Sequence, residues 1–134
     1  MNLSTPAMLA VAAVTLLALV VYFWTGMKVG SLRVRHKIDA PAMTGHPEFE
    51  RAARVQMNTL ENLVPFLVAL WLCALLLHAL GAAILGLIWV LARVWYATSY
   101  WQDAKKRGGG FGLSFAATGL LLLGAVAGIV MRLL

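Results

Sequence analysis

The sequence predicts an all-α integral membrane protein: one four-span bundle occupying residues 1–134. Three observations carry that expectation. Of the 134 residues 62% are hydrophobic and only 12% are charged, and the mean hydropathy is +0.85, a membrane composition rather than that of a soluble core. Four apolar runs reach the roughly 20 residues that cross a hydrocarbon core of about 30 Å. None of them alternates as a barrel strand would, so helices are what satisfy the backbone in lipid.

The first span covers about residues 6–34. It is apolar to Met27 and continues into the headgroups as KVGSLRVRHK, which carries Lys28, Arg33, Arg35 and Lys37. It lacks a basic leader and is long enough to remain as an anchor. Pro41, Gly45 and Pro47 break the loop that follows. The second span, about residues 48–77, is polar near its start. A short neutral turn around His78 to Gly81 leads to the third span, about residues 82–104, which ends at Lys105, Lys106 and Arg107. Gly108 to Gly110 are expected to break the chain again before the fourth span, about residues 111–133. Ala116, Ala117, Gly119, Gly124, Ala127 and Gly128 would allow close packing there, and Gly124 to Gly128 is a GxxxG spacing that is common in apolar helices.

The net charge of +6 does not imply a nucleic-acid partner, because the cations cluster at the ends of apolar runs. The positive-inside rule places both basic loops in the cytoplasm and both termini outside, with Arg132 a minor exception. The lone cysteine, Cys73, excludes an intrachain disulfide and a cysteine metal cluster, and reads as a small packed hydrophobe. No metal is expected. The short chain rich in Ala, Leu and Gly suits a bacterial inner membrane, with lipid as its surroundings.

The charges inside the second span are the informative ones. Arg51, Arg54, Asn58 and Glu61 are spaced 3, 4 and 3 apart, which aligns them on one helix stripe. Each charge at membrane depth costs about 2.5 to 3.5 kcal/mol unless it faces protein, water or a ligand. The third span carries a second stripe of Arg93, Tyr96 and Tyr100, with Arg107 brought to the same side if the helix runs on for two more turns. Taken singly, the tyrosines could be an interfacial belt and the arginines could snorkel. Taken together, guanidiniums suit carboxylates or phosphates, and a deep carboxylate suits an amine. The tripeptide glutathione, with two carboxylates, one amine and a thiol, matches this inventory; acidic lipid headgroups match it too.

These residues resemble the MAPEG family (membrane-associated proteins in eicosanoid and glutathione metabolism). The run FERAARVQMNTLENLVPFL is similar to the family pattern E-R-x-x-R-x-x-x-N-x-x-E, and ARVWYATSYWQDAKKR is similar to a second signature in the third helix. The resemblance implies a homotrimer of four-helix subunits, with glutathione as co-substrate held between neighbours toward the cytoplasmic side. It implies that Arg54, Gln56, Asn58, Glu61, Tyr96 and Tyr100 contact glutathione, with Arg33 joining from a neighbour's first helix. Glu61 would take the ammonium and the arginines the carboxylates. Arg107 falls where a catalytic arginine holds the thiolate, while Arg51 and Arg93 would be structural pairs within the bundle. The second substrate would be a lipophilic electrophile or a lipid hydroperoxide. Val34 and Asn62 depart from the leukotriene-forming branch, and NTLENLVPFL with Pro65 is closer to the microsomal glutathione transferase branch. A general transferase or peroxidase is therefore expected. Two other readings are a non-catalytic lipid-binding scaffold on the same fold and a small four-helix transporter. The intact stripe argues against the first, and the absence of Asp or Glu from the first span argues against the second.

Overall fold

A computed structural model describes residues 2–134. Four helices account for most of the chain: α1 (Pro6–His36), α2 (Pro47–Leu76), α3 (Ala79–Gln102) and α4 (Gly108–Leu133), with a short 3-10 turn (Ala104–Arg107) between α3 and α4. Each of the four is long and apolar enough to cross a membrane. At 1.5 Å per residue, the 31 residues of α1 extend about 46 Å, so its basic end projects well past the hydrocarbon.

Local chemistry sets the boundaries. Pro6 opens α1 behind Thr5, whose hydroxyl accepts from Met8 N at 3.3 Å. Lys37 closes it in the left-handed region at φ 54°, and Ile38 N donates back to Arg33 O at 3.0 Å. His46 caps α2 through Nδ1, with Pro47 at the first helical position. His78 caps α3, accepting from Gly81 N at 2.9 Å, so α3 begins three residues earlier than hydropathy alone suggests. It also ends earlier, because Asp103 adopts an extended backbone and its carboxylate accepts from Lys105 N at 2.9 Å. The glycines at 108–110 do not break the chain; they form the first turn of α4. Gly110 packs so closely that a Cβ there would strike the backbone of Tyr96.

In the bundle, α2 and α3 pack on each other and on both outer helices, while α1 and α4 lie on opposite sides of that pair. Phe66 stacks flat on Trp89 at 3.9 Å in the middle. A Cβ on Gly86 would lie 2.7 Å from Val14, which shows how tightly α1 and α3 meet. Trp71 Nε1 donates to Thr15 Oγ1 at 3.1 Å, a partly buried donor satisfied across helices. The GxxxG of α4 is used within the chain: Gly124 lies against Cys73, and Gly128 against the Leu76 carbonyl. Large apolar side chains such as Leu16, Phe23, Val68, Leu91 and Leu123 are exposed on the outer surface, as lipid contact requires.

The end of α1, the start of α2 and the end of α3 meet at one pole. Lys28 Nζ lies 5.2 Å over the Trp101 ring, and Arg51 Nε donates to Trp101 O at 3.0 Å. At the other pole Arg132 donates to the Leu76 carbonyl, holding α4 to the end of α2.

Candidate functional site

Near the basic pole, a recess of about 230 Å³ opens between α2, α3 and the start of α4, lined by Arg54, Asn58, Tyr96, Tyr100, Arg107 and Phe111. Its position follows from helix periodicity. Arg54 and Asn58 are one turn apart on α2, and Tyr96 and Tyr100 are one turn apart on α3, so each pair faces the other helix. Arg107 arrives from the 3-10 turn and Phe111 from the first turn of α4. Gly110, by admitting the Tyr96 backbone, sets how near Phe111 comes; the Tyr96 and Phe111 rings are 6.3 Å apart.

Beneath the recess lies Arg93, which is fully buried. Its Nη2 donates to Asn58 Oδ1 at 2.9 Å and to Thr59 Oγ1 at 2.8 Å. Its guanidinium sits 4.0 Å over the Tyr96 ring, a desolvated cation–π contact. Nε and Nη1 have no protein partner. Asn58 Oδ1 also accepts from Asn62 Nδ2 at 3.3 Å, so the Asn58 amide is held on its acceptor side and its NH₂ remains for a ligand. Tyr96 and Tyr100 meet edge to face at 5.6 Å.

Charge around the recess is unbalanced. Arg54 Nη1 reaches Glu61 Oε1 at 3.3 Å, with both side chains about half exposed, a pair that contributes under about 1 kcal/mol in water. Arg107 Nη1 donates to Ala104 O at 3.0 Å and its guanidinium lies 5.8 Å over Tyr100. Two guanidiniums line the recess (Arg54 and Arg107), a third (Arg93) lies beneath it, and Glu61, outside the lining, is the carboxylate that reaches Arg54, so these four groups together carry a surplus of two positive charges. Amide, phenol and guanidinium groups beside that surplus suit an anionic guest.

The remaining residues singled out from the sequence lie elsewhere in the chain. Gln56 faces α1, in a groove with Tyr22, Phe23, Gly26 and Met27. Arg33 holds the α1–α2 loop, with Nη1 2.7 Å from Ala42 O and the guanidinium 4.7 Å over Phe49. Arg51 is tied to the Trp101 carbonyl. Arg93 reaches Asn58 and Thr59 and has no carboxylate partner among the described residues. Phe111 and Thr59 also belong to the site, although neither lies on the polar stripes of the sequence. Thr59 directly follows Asn58, and its burial marks the α3-facing side of α2. Phe111 had no periodic signal, since it enters behind a glycine run.

A family model described as "MAPEG family" matches residues 11–127. An uncharacterized protein of Synechocystis is 43% identical over 122 residues, covering 91% of this chain and 89% of that protein. Microsomal glutathione S-transferase 2 of Mus musculus is 42% identical over 123 residues, covering 92% and 84% of the two chains. Leukotriene C4 synthase of Bos taurus is 34% identical over 123 residues, covering 92% and 82%.

Proposed function

Since this chain belongs to the MAPEG family, we propose that it is a glutathione-dependent membrane enzyme that ionises the glutathione thiol for attack on lipophilic electrophiles or lipid hydroperoxides. The observation that supports this most directly is the cationic surplus around the recess. Glutathione with its thiol ionised carries two carboxylates, one thiolate and one ammonium, a net charge of −2 that matches the surplus. In this reading Arg54 takes a carboxylate, Glu61 takes the γ-glutamyl ammonium, and Asn58, Tyr96 and Tyr100 orient the backbone of the peptide. Arg107 stands over the thiolate.

The chemistry follows from ionisation. A free thiol with a pKa of about 8.5 is only about 3% thiolate at pH 7. A guanidinium in contact that lowers this by two units raises the fraction to about 75%. The sulfur then bonds to an electrophilic carbon, expelling a leaving group or, on addition to a double bond, leaving a carbanion that takes a proton from water; with a hydroperoxide it takes the distal oxygen as a sulfenic acid and releases the alcohol, and a second glutathione thiol converts the sulfenic acid to disulfide and water. No covalent bond to the protein is needed, and the chain supplies positioning and charge stabilisation. The electrophile reaches the site from the lipid, past the exposed apolar surfaces of the helices.

The working assembly in this proposal is a homotrimer with the basic pole toward the cytoplasm, where glutathione is dissolved. Gln56 and Arg33 of one subunit then complete the recess of its neighbour. Similarity to microsomal glutathione S-transferase 2 favours conjugation as the principal reaction, with peroxide reduction drawing on the same thiolate.

Titrating glutathione into the detergent-solubilised protein near pH 7, while recording thiolate absorbance, tests this reading. Saturable binding with a rise in thiolate absorbance is expected. Arg107→Ala should keep binding within about tenfold yet lose the thiolate signal and about 100-fold or more of conjugation rate. Glu61→Gln should weaken binding itself. A folded wild-type protein that neither binds glutathione nor forms thiolate would refute the proposal.

A further inference from the structure

The turn from α1 into α2 gathers three metal-ligating side chains at the basic pole, outside the recess. His36 is the last residue of α1, His46 caps α2, and Glu48 lies in the first turn of α2. The loop between them is folded back by Arg33, whose Nη1 is 2.7 Å from Ala42 O. The two imidazoles stack with centroids 3.7 Å apart and planes 14° apart. His36 Nε2 lies 2.9 Å from Glu48 Oε2. One nitrogen of each ring and one Glu48 oxygen all fall within 4.8 Å of one another, and His36 and Glu48 are half-buried.

We propose that His36, His46 and Glu48 form a binding site for a divalent transition-metal ion, zinc being the best match, which clasps the end of α1 to the start of α2. Donors around a tetrahedral zinc at about 2.0 to 2.1 Å sit about 3.3 Å from one another, so the two rings must turn out of their face-to-face stack to aim both in-plane lone pairs at one ion. Two imidazoles and a carboxylate are a donor set that zinc favours, with a fourth position left for water.

A hydrogen-bonded His–Glu pair alone would need one imidazole. The second ring caps α2 through Nδ1, and that capping position holds it face to face with His36, within reach of the same ion. The ion would take the place of the contact between His36 Nε2 and Glu48 Oε2. It would take a nitrogen of His46 in exchange for a weak cap bond, the 3.2 Å contact from Glu48 N to His46 Nδ1. Arg35 is no obstacle: it approaches Glu48 only to 3.8 Å and its side chain is 71% exposed, free to swing into water. The site was not legible as a motif because its ligands straddle a loop, and only the loop's fold brings them together.

The test is calorimetric titration of zinc chloride into the untagged full-length protein in detergent, free of thiols and near neutral pH, with thermal denaturation alongside. One zinc per chain is expected, with a rise of several degrees in apparent melting temperature that EDTA reverses. His46→Ser removes a ligand but keeps an N-cap oxygen, so the helix survives while zinc affinity should fall at least about tenfold. His36→Gln should do the same. His78→Ala, at the opposite pole, should leave binding intact. Folded wild-type protein that binds no zinc, or binding that survives both His36→Gln and His46→Ser, overturns the proposal.

Discussion

Arg93 concentrates the energetic question of the site in one residue. A guanidinium with no solvent exposure and no carboxylate partner among the described residues costs several kcal/mol to desolvate. Two hydrogen bonds and the Tyr96 ring offset part of that, yet two of its nitrogens have no protein partner. Stability alone does not explain its place, since apolar replacements of buried charges are often neutral or stabilising. Its geometric consequence is clearer: it pins Asn58 and Tyr96, which line the recess. Arg93→Met is therefore expected to leave the apparent melting temperature in detergent within a few degrees. Glutathione affinity should nonetheless fall about tenfold, about 1.4 kcal/mol. Parallel denaturation and binding titrations separate the two effects; a large loss of stability with unchanged affinity in the surviving folded fraction would mark Arg93 as purely structural.

At the scale of elements, the close approach of α3 and α4 shapes the recess, and glycine controls it. A Cβ on Gly110 meets Tyr96 backbone atoms, which cannot rotate away, and a Cβ on Gly128 meets the Leu76 backbone. Gly112 and Gly119 face open space. Gly110→Ala should destabilise by about 1 to 3 kcal/mol through overpacking and should also lower glutathione affinity, because Tyr96 must shift. Gly119→Ala should do neither, and the pair of variants compared by thermal denaturation isolates the packing effect. The same two helices show how far the sequence could be read. The spacing of Arg54 and Asn58 and of Tyr96 and Tyr100 placed those four side chains on facing stripes, since straight α-helices preserve a 3.6-residue period. Running α3 on for two more turns would bring Arg107 to the same side, but it reaches the recess by another route. The Asp103 cap stops α3, and a 3-10 turn with its tighter period carries Arg107 in. A carboxylate choosing a local backbone N–H over solvent leaves little trace in hydropathy, and neither does a glycine run that starts a helix instead of ending one.

For the whole molecule, the faces of α2 raise the question of assembly. Gln56 follows Arg54 by two residues, about 200° around the helix, and it lines a groove against α1 while Arg54 opens toward α3 and α4. One chain cannot offer both side chains to a single small ligand. Arg33 also lies with the α1–α2 loop and not with Arg107. The one-dimensional stripe carried no information on this separation, because the intersubunit partner of a helix face is not encoded in that helix's own period. If Gln56 and Arg33 act on glutathione, they act on a neighbour's recess, and a cyclic trimer supplies a neighbour for every site. A mixing experiment decides the matter. Chains carrying Arg33→Ala with Gln56→Ala lack one side of the site, and chains carrying Arg107→Ala lack the other, so each homotrimer should be nearly inactive. Coexpressed in equal amounts with random assembly, about one interface in four pairs an intact face with an intact face, and about a quarter of wild-type conjugation should return. If each site lies within a single chain, no mixture contains an intact one and activity stays at the level of the parents.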